Sequence, residues 1–166
     1  MDENRDSYIV KLIRSTKIKD VMTRDVVAVF ENDDFSEVEE KFLKYSLTHI
    51  VVTNRQGELT GLISQKYLYK TQSPRRIMSD EIKYNLNVII DGDSYYSKEM
   101  LNGFVLREMM KKDPFFLHPD DFILTAISNM VQRRIGCIPI VDKHKKIKGI
   151  ITDMDIVKFI AEIFEV

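Results

Sequence analysis

The segment Thr152-Asp-Met-Asp155 carries the residues of this 166-residue chain that are best suited to bind a charged small molecule. It follows an apolar run and opens a helical pattern, and a helix N-terminus presents unpaired N–H groups that favour a phosphate. The Thr152 hydroxyl can donate to a phosphate oxygen, and the Asp155 carboxylate can accept both hydroxyls of a ribose. The same residues also fit a plain helix start, with Thr152 as N-cap and Asp155 as a first-turn acid.

Four further side chains near this segment are candidates for the same site. Arg133 and Arg134 precede an apolar run, and either guanidinium could bind a phosphate as a planar fork. A helix dipole explains two arginines at a helix end equally well. His118 is another candidate, although a single histidine is more often a polar surface residue. Cys137 is the one cysteine of the chain and has no Cys or His at metal spacing. We therefore interpret it as a small buried residue and expect no metal site.

The elements that must position these residues occur twice. An offset of 88 residues aligns residues 18–68 with residues 106–156 without a gap. The identical pairs are Met22/Met110, Asp25/Asp113, Asp33/Asp121, Ile50/Ile138, Gly61/Gly149 and Ile63/Ile151. Apolar character matches at many further positions, so glycines and apolar residues fall in phase over the whole alignment. We therefore expect two copies of one structural unit.

Each copy predicts the order β-α-β-β-α, which makes the fold class α+β. In the first copy the elements are an extended run at 26–30, a helix from 35, strands at 50–53 and 59–63, and a helix at 65–70. In the second copy they are 115–118, a helix from 123, 138–141, 147–151 and 154–164. Acidic stretches at 31–34 and 119–121 are predicted to cap the helices that follow them. One copy buries too little apolar surface alone, so we expect the two to pack with pseudo-twofold symmetry.

The repeat divides the chain into four segments. These are an N-terminal arm or short helix at 1–16, a first domain at 17–72, an insert at 73–104 and a second domain at 105–166. Within the insert, the sequence predicts a strand at 88–90, a turn at 91–93 and the start of a short helix at 97–101. Residues 7–15 are amphipathic and predict a helix or an extended arm.

The composition of the chain narrows its class. A net charge of -1 gives no basic field for a nucleic acid, and the basic run 143–148 falls on a hairpin turn. No apolar run is long enough to cross a bilayer, so we expect no membrane contact. A single cysteine excludes an intrachain disulfide, and the acidic N-terminus differs from a signal peptide. We therefore expect a cytoplasmic protein.

Four motifs resemble those of the CBS domain, the module named after cystathionine β-synthase. They are Leu106-Arg-Glu-Met-Met110, Phe116-Leu-His-Pro119, Ile138-Pro-Ile-Val-Asp142 and Gly149-Ile-Ile-Thr-Asp-Met-Asp155, and the first copy carries the same frame. The resemblance implies a pair of β-α-β-β-α repeats and a disc-like homodimer. It also implies ligands that contain adenosine, namely AMP, ADP, ATP or S-adenosylmethionine.

The resemblance also places the ligand. It implies an adenine ring near Phe116, Cys137, Ile138 and Pro139, with Thr152 and Asp155 on the phosphate and ribose. Plain core packing is the alternative for these apolar residues, above all for Ile138. Pro139 lacks an N–H and therefore suits a strand edge or a cleft.

The first copy departs from this binding pattern. Ser64 is an acceptable substitute for Thr152, but Tyr67 stands in place of Asp155 and Val51 in place of Pro139. Tyr67 has no carboxylate for a ribose. We therefore predict one working site per chain and, at Ser64, a weak second site at most. Lys66 and Lys70 of this copy are candidates to neutralise phosphates.

The predicted function is that of a stand-alone regulatory module without catalytic activity or cofactor. The resemblance implies that a nucleotide binds in the cleft between the repeats and that the signal passes to a separate effector protein. The sequence has no Walker-type loop, zinc pattern or nucleophile elbow, so an enzyme is not indicated. The alternative is a scaffold that dimerises or docks on a partner without any ligand.

Overall fold

The computed structural model describes residues 3–65 and 106–164. Its elements are α1 (Glu3–Ser15), a 3-10 turn (Ile18–Asp20), β1 (Ala28–Phe30), α2 (Phe35–Tyr45), β2 (His49–Thr53), β3 (Leu59–Ser64), α3 (Leu106–Met109), β4 (Lys111–Lys112), α4 (Ile123–Arg133), β5 (Cys137–Val141), β6 (Ile147–Thr152) and α5 (Asp153–Phe164). All but the first residue of the predicted helix at 65–70, and all elements of the insert, lie outside the described residues. Among the described helices, none is long and apolar enough to cross a membrane.

Over the described residues, the predicted strands and helices occur in the predicted order except at 115–118, and the 3-10 turn, α3 and β4 of the leading segments were not predicted. The run 115–118 of the second copy was predicted to be extended and pairs only through Leu117, which forms a single parallel bridge to Ile140. The corresponding strand of the first copy, β1, pairs in parallel with β2 over three residues. The predicted N-terminal helix is confirmed as α1.

The described residues form two compact units, and the boundaries of these units differ from those of the two copies. The second-repeat unit contains 3–26, 55–59 and 113–164, and the first-repeat unit contains 27–54, 60–65 and 106–112. The packing units therefore cross the predicted domain boundaries at 17 and 105. Each copy begins with a leading segment, 17–26 or 106–112, that belongs to the unit holding the other copy's hairpin strands.

Identical residues of the two copies explain this exchange. Thr23 bridges Ile150 of β6, as its counterpart Lys111 pairs with Leu62 of β3. Just before each of these residues stands a methionine that lies against a glycine of the strand: Met22 contacts Gly149, and Met110 contacts Gly61. A leading segment can approach a strand this closely only where the strand has no Cβ. The contact therefore explains why both copies have a methionine and a glycine at these positions.

The second-repeat unit holds the strands that precede the candidate site. In it, β5 and β6 form an antiparallel two-stranded sheet in which Ile138 faces Ile151. One side of the sheet packs on the buried face of α4 and on the leading segment 17–26. The buried residues of this core are Ile18, Met22, Leu117, Ile123, Ala126, Met130, Ile138, Ile140 and Ile151.

The first-repeat unit holds a four-stranded sheet in the order β1-β2-β3-β4. Its core comprises Val29, Val38, Phe42, Ile50, Val52, Ile63, Leu106 and Met110. Leu43 follows Phe42 in the apolar pattern of α2, but 71% of it is exposed. The buried stripe of this helix is the narrower one that Val38 and Phe42 define, four residues apart.

The acidic residues before the helices close turns and do not cap the helices. The Asp33 carboxylate accepts the N–H of Phe30, and the Asp121 carboxylate accepts the N–H of His118, each at 2.8 Å. The N-cap positions themselves, Asp34 and Phe122, make no side-chain cap hydrogen bond. The predicted helix capping by 31–34 and 119–121 is therefore wrong, and the identity of Asp33 and Asp121 reflects a shared turn.

Candidate functional site

Thr152 and Asp155 form a reciprocal pair of hydrogen bonds at the start of α5. The Asp155 Oδ2 atom accepts the N–H of Thr152 at 2.7 Å and its hydroxyl at 2.6 Å. In return, the N–H of Asp155 donates to Thr152 Oγ1 at 3.3 Å. This is the geometry of a capping box, with Thr152 as the N-cap and Asp155 in the third helical position. The structure thus brings the two predicted residues together, and both are engaged with each other.

The backbone of the same turn is also occupied. Asp153 donates its N–H to the carbonyl of Gly136 at 3.1 Å, and Met154 donates its N–H to the Asp153 carboxylate at 2.9 Å. The expectation of unpaired N–H groups for a phosphate is therefore wrong for this helix start. Two carboxylates in the first turn, those of Asp153 and Asp155, add negative charge where a phosphate would need positive charge.

Thr23 is a third member of this network and was missed in the sequence. Its hydroxyl donates to Asp155 Oδ1 at 3.0 Å. Its backbone is fixed by two hydrogen bonds of 2.9 Å with Ile150 of β6, one from each N–H. Thr23 directly follows the motif that ends at Met22, but its counterpart in the second copy is Lys111, so the repeat alignment did not single it out.

The Asp155 carboxylate is buried and well supplied with donors. Only 8% of Asp155 is exposed. A buried carboxylate is costly unless hydrogen bonds satisfy it, and here three donors from Thr23 and Thr152 do so. The network therefore fixes the carboxylate between the leading segment and the end of β6.

One face of the β5–β6 sheet adjoins this carboxylate. Opposed residues of the two strands share a face, so Cys137 lies beside Thr152, and Pro139 beside Ile150. Ile138 points the other way, into the core, and is fully buried. Of the apolar residues predicted to contact adenine, Ile138 is thus placed as a core residue, whereas Cys137 and Pro139 lie on the face that carries Thr152.

Cys137 is notable for the pKa of its thiol, and Pro139 for its hydrogen bonding. Burial, together with the negative charges of Asp155 and Asp153, raises the pKa of the Cys137 thiol to about 12. The thiol is therefore neutral and unreactive, as predicted for a small buried residue. The carbonyl of Pro139 accepts the N–H of Leu117 at 3.1 Å. Because Pro139 has no N–H, it can bond to the segment 115–118 only through its carbonyl oxygen.

Phe116 and His118 lie before α4 on the predicted extended run. Their rings meet edge to face, with centroids 5.8 Å apart, and the Lys145 ammonium lies 5.9 Å from the Phe116 ring. The Nδ1 atom of His118 is 2.8 Å from the carbonyl oxygen of Val141. Because a carbonyl only accepts, Nδ1 is the donor in this hydrogen bond.

The two arginines at the end of α4 are held locally. The Arg133 guanidinium lies 4.1 Å from the ring centroid of Phe115, and its Nε donates to Asn129 at 3.0 Å. Arg134 adopts a left-handed conformation, with φ 54°, and its N–H caps the helix. Among the described residues, no hydrogen bond or ion pair joins either arginine to Thr152 or Asp155.

The first copy repeats only part of this arrangement within the described residues. Gln65 donates its N–H to the carbonyl of Thr48 at 2.8 Å, in the same way that Asp153 bonds to Gly136. Ser64 is half-buried at the end of β3, and Val51 is buried in β2. Tyr67, Lys66 and Lys70 lie outside the described residues, so the weak second site at Ser64 stays a prediction. Over 3–65 and 106–164, no group of acidic, His and Cys side chains is arranged to hold a metal.

Comparison with known protein families identifies the repeat. The model of the CBS domain matches residues 18–73 and residues 106–162. These two ranges agree with the two copies predicted from the 88-residue offset, and together they cover more than half of the chain.

Two archaeal proteins illustrate the sequence similarity. The chain is 26% identical over 155 residues to protein MJ1426 of Methanocaldococcus jannaschii, covering 85% of this chain and 89% of that protein. It is 25% identical over 154 residues to protein MJ1404 of the same organism, covering 92% of this chain but 34% of that protein. The chain thus spans about a third of MJ1404, and both relatives are described as uncharacterised.

Solved structures share the fold. The CBS domain pair of protein MJ0100, in complex with 5′-methylthioadenosine and S-adenosyl-L-methionine, has a TM-score of 0.66 at 18% identity and covers 89% of this chain and 97% of that one. CBSX2 in complex with AMP has a TM-score of 0.68 at 17% identity and covers 90% of this chain and 98% of that one. At such identities the likeness establishes the fold alone.

Proposed function

The chain belongs to the CBS domain family, and we propose that it is a regulatory module that binds an adenosine-containing ligand at the second copy, without catalysing a reaction. The observation that carries this proposal is the buried Asp155 carboxylate, held by Thr23 and Thr152 beside the Cys137–Pro139 face of the sheet. A carboxylate so placed is a specific acceptor for hydroxyl groups next to an apolar surface.

The ligands of the structural neighbours support the choice of adenosine. AMP, 5′-methylthioadenosine and S-adenosylmethionine, which are bound by CBSX2 and by MJ0100, differ in charge and 5′ group but share an adenosyl part. The site proposed here likewise favours the adenosyl part over the phosphate. It combines a hydroxyl acceptor at Asp155 with the apolar side chains of buried Pro139 and half-buried Phe116, while its helix start carries no free N–H for a phosphate.

The phosphate of a nucleotide therefore needs other partners. We propose that Arg133 or Arg134 supplies the positive charge and that Lys145, which lies near Phe116, adds to it. Binding of AMP, ADP or ATP then depends on these basic side chains, whereas binding of 5′-methylthioadenosine does not. A difference in salt dependence between the two kinds of ligand is the expected consequence.

The test is a melting curve of the chain with AMP, ADP, ATP, S-adenosylmethionine and 5′-methylthioadenosine. A specific ligand at 100 times its dissociation constant adds about 2.7 kcal/mol of stability. We expect at least one of the five to raise the Tm and Asp155→Ala to abolish the rise. Asp153→Ala is the matched control, because it removes an exposed carboxylate from the same turn and should leave the shift in place. If none of the five compounds shifts the Tm, the proposal is wrong.

We also propose that the chain forms a homodimer through the outer face of α5. Four large apolar side chains of this helix are 42–57% exposed, namely Met154, Val157, Ile160 and Phe164. Such a contiguous apolar stripe is unusual on a surface facing water.

A ligand-free scaffold is the second candidate function, and the same apolar stripe favours it. The two candidates differ in the outcome of the melting experiment, since a scaffold gains no stability from any adenosyl compound. The effector protein that receives the signal and the cytoplasmic location both stay predictions.

A further inference from the structure

Most of the hydrogen-bond acceptor positions of the Asp155 carboxylate are already occupied. An ionised carboxylate offers about four lone-pair positions, two on each oxygen. The Thr152 N–H and the Thr152 hydroxyl occupy Oδ2 at 2.7 and 2.6 Å, and the Thr23 hydroxyl occupies Oδ1 at 3.0 Å. One position is therefore left, and it lies on Oδ1.

The two occupied oxygens differ in how firmly they are held. Thr152 is bound to Oδ2 through both backbone and side chain, and it stands opposite Cys137 in the sheet. Giving up these bonds would open the first turn of α5. Thr23 is bound to Oδ1 through its hydroxyl alone, and its backbone is fixed separately by Ile150. Because its backbone is anchored to β6, the Thr23 hydroxyl is kept within reach of Oδ1, where it competes with any ligand hydroxyl for that oxygen.

From this arrangement we propose that Thr23 is a specificity-determining residue that restricts Asp155 to one hydroxyl of the ribose. The inference rests on the proposed function, since it assumes that an adenosyl ligand binds at Asp155. It replaces the expectation from the sequence that both ribose hydroxyls are accepted by this carboxylate. The Thr23 hydroxyl occupies the position that the second ribose hydroxyl would need.

The consequence is an unequal dependence on the two ribose hydroxyls. A hydrogen bond to a charged group contributes about 1.5–3 kcal/mol, which corresponds to roughly 10- to 150-fold in affinity. The hydroxyl that Asp155 accepts should therefore matter by about this factor. The other hydroxyl has no position on the carboxylate while Thr23 is present.

The experiment is isothermal titration of three proteins with AMP, 2′-deoxy-AMP and 3′-deoxy-AMP, and with the matching ATP series. For the wild-type chain, we expect one deoxy compound to bind about 10-fold or more weakly and the other to stay within about 3-fold of the parent. Thr23→Val keeps the shape of the side chain but frees the second position on Oδ1, so both deoxy compounds should then bind about 10-fold or more weakly than the parent. Thr23→Ser keeps the hydroxyl and should reproduce the wild-type pattern.

The outcomes separate this inference from the proposed function. If AMP or ATP binds but the wild-type chain depends on both hydroxyls or on neither, Thr23 does not set the specificity, and the inference is overturned with the proposed function intact. The same holds if Thr23→Val keeps the wild-type pattern. If neither parent nucleotide binds, the nucleotide form of the proposed function fails together with the inference. The wild-type titrations need no variant, so they decide the matter even if Thr23→Val is poorly folded.

Discussion

Replacing Gly149 or Gly61 by alanine perturbs the same position of the two copies in different surroundings. The three atoms nearest to a Cβ on Gly61 would all belong to the side chain of Met110, which can rotate away. A Cβ on Gly149 would lie 2.6 Å from the sulfur of Met22 and 2.8 Å from the backbone oxygen of Thr23. A backbone atom cannot rotate away, so Gly149→Ala must displace the leading segment from β6.

The expected magnitudes follow from these contacts. Overpacking a well-filled site costs about 1–3 kcal/mol, and each backbone hydrogen bond between Thr23 and Ile150 contributes about 1 kcal/mol net. We expect Gly149→Ala to lower the free energy of unfolding by about 2–3 kcal/mol. For Gly61→Ala we expect about 1 kcal/mol or less, because the lower entropy of the unfolded chain offsets part of the strain by about 0.4–1 kcal/mol.

Urea unfolding followed by circular dichroism measures both values, and the Tm of Gly149→Ala should fall by about 4–12 °C. Adding Met22→Ala to Gly149→Ala removes the sulfur contact but not the contact with the Thr23 oxygen, so the double variant serves as a control for overpacking by the side chain alone. An equal or larger cost for Gly61→Ala would refute the reasoning, since it would mean that the backbone of Thr23 does not limit the space at Gly149.

Three further predictions concern other parts of the molecule. Cys137 should react with a thiol reagent at pH 8 far more slowly in the native chain than in urea, because burial raises the pKa of its thiol to about 12; equal rates would contradict the described burial. Lys145→Gly should raise the free energy of unfolding by about 1 kcal/mol in urea titrations, because Lys145 has φ 57° where the first copy has Gly57; Lys143→Gly, in the same turn, is the control and should bring no gain. Val157→Glu should convert a dimer to a monomer in sedimentation velocity, because it adds charge to the apolar stripe of α5, whereas Val131→Glu on α4 should not.

Much of the fold could be predicted because its determinants are local. The apolar spacing of Ile123, Ala126 and Met130 predicts the buried face of α4, and the β-rich runs around a polar turn predict β5 and β6 to within one residue. The repeat strengthened each of these predictions, since the same pattern occurs twice at one offset. Thr152 and Asp155 could be predicted as a pair for the same reason, because three residues separate them at a helix start.

The features that could not be predicted depend on contacts between residues far apart in the chain. Nothing in the local sequence around Thr23 indicates that its hydroxyl reaches Asp155, which is 132 residues away. The chemistry of the helix start was also misjudged, because the partner of the Asp153 N–H is the carbonyl of Gly136, a backbone atom that no side-chain pattern reveals. Composition likewise gives no sign that Asp33 and Asp121 close turns before the helices.

The exchange of leading segments makes a single repeat an incomplete folding unit. A chain reduced to residues 106–164 would keep a methionine at position 110 whose glycine, Gly61, has been removed, and a Gly149 that no methionine covers. Two such chains could complete each other by exchanging residues 106–112, because the leading segment of each chain could pack on Gly149 of the other. In that sense the two-copy chain is a dimer of single repeats joined in one polypeptide.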